Sequence, residues 1–153
     1  MIEIEPFGAV DEQGLREVEQ ALGAPLPPAY REFLARTGGG WAAKPNYLVG
    51  PTFEVDVFLG VTGDPGYKLV SSQRVGFAEL LPPEVIVVAY ADAGEVCLQL
   101  SGGHAGRLLW LSHDVWDDVP EGETSWAALQ PLADDFQTFL DQVLLPGEPP
   151  EEA

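Results

Sequence analysis

At the start of the chain the apolar positions repeat at helical spacing. Leu15, Val18 and Leu22 fall on one face of a helix that Asp11 can cap and Gly23 can close. The run Pro25-Leu26-Pro27-Pro28 forbids helix until a proline can sit in a first turn, where its missing N–H costs nothing. Tyr30, Phe33 and Leu34 then stand at i, i+3 and i+4, the apolar stripe of a second helix from Pro28 to Thr37. Gly38, Gly39 and Gly40 end it, one of them in the left-handed position beyond the last turn.

Elsewhere the period changes to two. Ile2 and Ile4 alternate with Glu3 and Glu5, as in a short edge strand or a frayed end. Phe53, Val55, Val57 and Leu59 alternate with Glu54, Asp56 and Phe58, the pattern of a half-buried strand. The stretch from Thr62 to Gly66 has turn chemistry. From Tyr67 to Leu81 the apolar residues fit neither period, and Gly76 weakens a helix. Val85 to Tyr90 is continuously apolar and rich in β-branched residues, as a central strand covered on both faces should be.

Asp92-Ala93-Gly94 turns the chain, and Val96, Leu98 and Leu100 alternate with Glu95, Cys97 and Gln99. A second turn over Ser101 to Gly106 leads to a strand from Arg107 to Leu111. Val115 to Ser125 reads as an acidic loop around Trp116. Leu132, Phe136, Phe139, Leu140, Val143 and Leu144 return to helical spacing, with Asp134 and Asp135 near the positive end of a closing helix. The expectation is α+β: a central, mostly antiparallel sheet with two N-terminal helices and a C-terminal helix packed against it. One domain should cover residues 1–145, with a disordered acidic Pro/Glu tail over 146–153.

Composition permits a folded core, since 46% of the residues are hydrophobic. Charge changes the picture more. Seven Lys and Arg stand against 25 Asp and Glu, a formal net charge of −18. Every basic residue lies at or before Arg107, and only acids follow it. Such a field repels nucleic acid and anionic lipid and draws in basic partners; the competing reading is charge for solubility. No apolar run is long enough to span a bilayer, and Met1-Ile2-Glu3-Ile4-Glu5 does not read as a signal peptide, so the expected compartment is the cytoplasm. A single cysteine permits no internal disulfide.

Candidate chemistry is sparse. His113 and Asp114 with Asp117 and Asp118 match no spacing that a metal site requires. Cys97 alternates out of phase with Val96 and Leu98 and has no telling base nearby, which reads as a packed thiol. The triple glycine follows a helix and presents carbonyls, the wrong polarity for a phosphate. Gly102-Gly103 reads as a hairpin turn. These residues lead to the expectation of no cofactor and no metal. Of the four tryptophans, Trp110 should be core and Trp126 should pack on the sheet. Trp41 and Trp116 should be partly exposed, either as lids over the core or as aromatic anchors for a partner.

Leu22-Gly23, Leu26-Pro27, Tyr30, Phe33-Leu34 and Gly38-Gly39 together resemble the N-terminal signature of the SUKH superfamily. That group contains a fungal cell-wall-synthesis regulator and many bacterial immunity proteins that neutralise toxins. The glycine-rich acidic turn, the strand meander ending in Trp110-x-x-His113-Asp114 and the closing Phe136 with Phe139-Leu140 are similar to it as well. Ala93 stands where many relatives have another glycine. The resemblance implies a short helix early in the Tyr67–Leu81 segment and a non-enzymatic immunity protein that binds a cognate toxin; a monomer or weak homodimer is expected. Charge refines the partner to a basic toxin, such as a nuclease, met by Trp41, Asp114, Trp116, Asp117, Asp118, Glu121 and Glu123. The alternatives are a scaffold or regulatory domain with an endogenous partner, and a small-ligand-binding protein.

Overall fold

The computed structural model describes residues 2–43, 45–62, 68–70, 81–112, 126 and 129–148. Asp11 begins the first helix, α1 (Glu12–Leu22), by accepting the Gly14 N–H at 2.8 Å on its side chain. That bond satisfies one of the donors every helix start leaves orphaned. Gly23 ends α1 at φ 80°, its N–H donating to the Glu19 carbonyl at 2.9 Å. Pro28 opens α2 (Pro28–Thr37), and Gly38 closes it at φ 67° with its N–H on the Leu34 carbonyl at 2.8 Å. Both helices lie where local chemistry puts them.

The described strands are β1 (Ile4–Pro6), β2 (Gly40–Ala42), β3 (Asn46–Leu48), β4 (Val55–Phe58), β5 (Val85–Ala91), β6 (Gly94–Gln99), β7 (Leu108–Ser112), β8 (Leu129–Ala133) and β9 (Leu144–Pro146). Seven of them form one sheet in the order β1-β2-β4-β5-β6-β7-β8. Each neighbouring pair in it is antiparallel. β3 and β9 make a separate antiparallel ribbon. The apolar run of β5 takes the middle place in the large sheet, with Val85 to Ala89 buried. This is the position its continuous hydrophobicity requires.

Aromatic rings join the helices to the sheet. Phe33 of α2 lies 5.1 Å from Phe58 of β4 and 5.0 Å from Phe136, and Tyr30 meets Phe136 edge-on at 5.0 Å. The α+β architecture, with helices packed on a mostly antiparallel sheet, is the one the sequence patterns indicate. Among the described residues no helix is long and apolar enough to cross a membrane.

Three details differ from the sequence patterns. Leu132 belongs to β8, an edge strand paired to β7, and not to the closing helix. Asp135 instead caps α3 (Phe136–Thr138), accepting the Thr138 N–H at 2.7 Å, and the chain continues as a π-helix over Phe139–Val143 before entering β9. Pairing outweighs the helical spacing at both ends, because Leu129 lies opposite Leu111 and Leu144 opposite Leu48. Second, Phe53 and Trp126 are exposed large apolar residues; Phe53 lies outside β4 and stacks on Trp110 at 5.8 Å. Third, the β4 alternation breaks at a bulge, and Val57, Phe58 and Leu59 are all buried.

Of the Tyr67–Leu81 segment, Leu69 and Val70 take helical backbone and Leu69 is buried, while residues 71–80 lie outside those described. At the C-terminus Pro146 pairs with Asn46 and the Gly147 N–H donates to the Pro45 carbonyl at 2.8 Å, so backbone pairing runs past residue 145. Residues 149–153 lie outside those described.

Candidate partner-binding surface

Directly opposed residues on antiparallel strands share a face of the sheet. Trp41 of β2 is opposite Glu5 of β1 on one side and Val57 of β4 on the other; Val57 is opposite Tyr90 of β5, and Tyr90 is opposite Glu95 of β6. Glu5, Trp41, Val57, Tyr90 and Glu95 therefore form one row across the sheet. Trp41 is 38% exposed and meets Phe7 edge-on at 6.4 Å, whereas Val57 is buried between its two aromatic neighbours.

A β-bulge completes the site. Pairing steps from Val55 opposite Ala91 to Val57 opposite Tyr90, so Asp56 is the extra residue. A bulge re-aims the side chain it carries. Asp56 joins Trp41, Ala42, Glu54, Val57 and Tyr90 in lining an open groove of about 420 Å³.

Negative charge is crowded here. Burial raises the Asp56 pKa above its ordinary value, the Asp92 charge and a hydrogen bond to Asp92 raise it further, and Glu54 adds to the effect. The backbone holds these groups together, since the Asp92 N–H donates to the Glu54 carbonyl at 2.9 Å. The ion pairs among the described residues lie on the helices, joining Arg16 and Arg31 to Glu12 and Glu19. Among the described residues, then, no Arg or Lys neutralises Glu54, Asp56 or Asp92. Nor do three His, Cys, Asp or Glu side chains converge among them as metal ligands would.

Of the residues singled out from sequence, Trp41 is exposed and lines the groove. Asp114, Trp116, Asp117, Asp118, Glu121 and Glu123, with His113, lie outside the described residues. Cys97 is fully buried, and that burial, with the Glu95 charge, pushes its thiol well above the usual range, so it stays protonated at neutral pH. Sequence reasoning missed Glu54, Asp56, Tyr90 and Asp92. The alternating acids of β4 and the turn at Asp92 were legible, but not the bulge and the pairing that bring them beside Trp41.

No curated protein matches the chain. The model of the SMI1 / KNR4 family (SUKH-1) matches residues 9–142, which takes in both N-terminal helices, the strands of the groove and all but the last residue of the C-terminal π-helix. The chain belongs to the SMI1 / KNR4 family (SUKH-1).

Proposed function

We propose that this chain is a non-enzymatic immunity protein that binds and neutralises a cognate basic toxin in the cytoplasm. Membership of the family is compatible with immunity and with regulatory roles. The observation that carries the choice is the groove beside Trp41: an exposed aromatic ring with the carboxylates of Glu54 and Asp56, to which Asp92 adds its charge, and which no described base neutralises. An aromatic anchor supplies buried area and a field of one sign supplies rate and selectivity.

The toxin is most simply a nuclease, whose nucleic-acid cleft would meet carboxylates in place of phosphates. In this reading the sequence-based candidates Asp114, Trp116, Asp117, Asp118, Glu121 and Glu123, which lie outside the described residues, also contact the toxin. Strand addition is a poor alternative, because the two edges of the described sheet, β1 and β8, carry Pro6 and Pro131. A proline cannot donate to a ladder and blunts an edge.

The test is co-purification with the product of the neighbouring gene, carrying an inactivating change if it is lethal. A stoichiometric complex that weakens steeply with salt is expected. The double charge reversal Asp117→Lys with Asp118→Lys should slow association at low salt far more than it lowers stability. No complex and no toxin-like neighbour would sink the immunity reading and favour a regulatory scaffold with an endogenous partner.

A further inference from the structure

We infer that the groove flanked by Trp41 and Tyr90 seats a single arginine or lysine side chain of the protein partner. This rests on the reading that the chain binds a basic protein, and it names the residue type and the place of one contact. Trp41 and Tyr90 stand on either side of Val57 in the same row, on strands two apart. Strands lie about 4.8 Å apart, so the two backbones are separated by roughly 10 Å. With Val57 buried between them, a flat guanidinium or an ammonium seated above Val57 would come within the ~6 Å of a ring centroid at which a cation is attracted by the ring face.

The rest of the lining selects the same charge. Glu54 and Asp56 open into the groove, and the charge of Asp92 acts on Asp56. An anion would add to a repulsion these carboxylates already exert on one another. A neutral apolar group would bury them without a partner. A cation relieves the repulsion and accepts both the rings and the carboxylates as neighbours. The size fits as well: about 420 Å³, open on one side, has room for a long side chain but not for a folded element. The bulge at Asp56 shapes a pocket in what would otherwise be a plain strand, which a general solubility charge does not require.

The contact can be tested without knowing the partner. The full chain is titrated with N-acetyl-arginine amide, N-acetyl-lysine amide and the neutral N-acetyl-glutamine amide. Binding is followed by NMR at the Trp41 indole N–H and the Tyr90 ring, with the other tryptophans as internal controls. Arginine and lysine should shift both signals saturably, glutamine should not, and Asp56→Asn should weaken the effect about tenfold. Equal shifts with glutamine, or none at Trp41 with either cation, would overturn the inference.

The same variant separates this claim from the broader one. If the toxin complex forms and Asp56→Asn leaves its affinity unchanged, the groove is not the cation seat although the immunity reading stands. If the cations bind and no toxin complex forms, the groove keeps its assignment and the immunity reading falls.

Discussion

Arg31 holds Glu12 through both terminal nitrogens of its guanidinium, at 2.8 and 3.0 Å, and so ties the first turn of α1 to α2. The fork also reaches Glu19, at 3.1 and 3.2 Å, and the other Glu19 oxygen accepts the Leu26 N–H at 2.7 Å. One side chain thus fixes two helices and the proline elbow between them. Arg31→Gln should lower the thermal midpoint, and Arg31→Lys should recover only part of the loss, because an ammonium cannot match the planar fork. The pH signature is specific. The hydrogen bond to Arg31 holds the Glu12 carboxyl below its ordinary range. Its contribution is present above the unfolded carboxylate pKa, near 4.3, and is lost as pH falls through the lower folded value. Acidification below about pH 4 should therefore cost the wild type more stability than it costs Arg31→Gln, as chemical denaturation at each pH will show.

Asp56 should behave in the opposite sense. Its folded pKa is raised, by burial first and then by Asp92 and Glu54, so the folded state binds the proton more tightly than the unfolded chain does. Stability from this group is gained as pH falls through the raised value and is lowest above it. Asp56→Asn should then stabilise the protein at neutral pH by about 0.5 kcal/mol or less, since solvent screens much of the repulsion. The gain should vanish below the carboxylate range. A loss of stability at pH 7 would mean that Asp56 makes a contact worth more than the repulsion it suffers.

What could be read from the sequence was whatever is decided locally. Asp11, Gly23, Pro28 and Gly38 specify their helix ends by their own geometry, and the β-branched run of β5 specifies its own burial. The strands β2, β3 and β9 are three residues long and too short to show a period. Leu132 was misread because its spacing to Phe136 and Phe139 suits a helix, while its actual conformation is set by pairing with a strand far away in sequence. The groove had the same difficulty. Trp41 could be identified as an exposed aromatic, but its company with Asp56 and Tyr90 depends on register and a bulge.

Left-handed positions give a graded series. Gly23 has open space where a Cβ would go, so Gly23→Ala should cost only the backbone term, about 1 kcal/mol. At Gly38 an added methyl would run into the Gly8 carbonyl and the Thr62 hydroxyl, which are themselves hydrogen-bonded at 2.9 Å. Gly38→Ala should therefore cost roughly 2–4 kcal/mol, adding overpacking to the backbone term. Ala93 runs the other way. It holds φ 61° at the turn between β5 and β6, a left-handed backbone that glycine adopts without a Cβ penalty. Ala93→Gly should stabilise by about 0.5–1 kcal/mol. Urea midpoints should be highest for Ala93→Gly, lower for Gly23→Ala and lowest for Gly38→Ala, and equal losses at Gly23 and Gly38 would contradict the close approach.

Tyr30 makes the sharpest claim about the core. Its ring is 1% exposed, stacked on Phe33 at 6.4 Å and set edge-on to Phe136 at 5.0 Å. Its hydroxyl has no hydrogen-bond partner among the described residues, and burial pushes the phenol well above its ordinary pKa, so it stays neutral. A buried donor without a partner pays desolvation and gains nothing in return. Tyr30→Phe keeps the ring and its aromatic contacts while removing that cost. Stability should be unchanged or higher by up to about 1 kcal/mol. Phe136→Ala, which opens a cavity among the same rings, should cost about 3–5 kcal/mol. Urea unfolding with unchanged slope is the measurement. If Tyr30→Phe loses more than about 1 kcal/mol, the hydroxyl is bonded after all, and the junction of α2 with α3 is polar where its rings make it apolar.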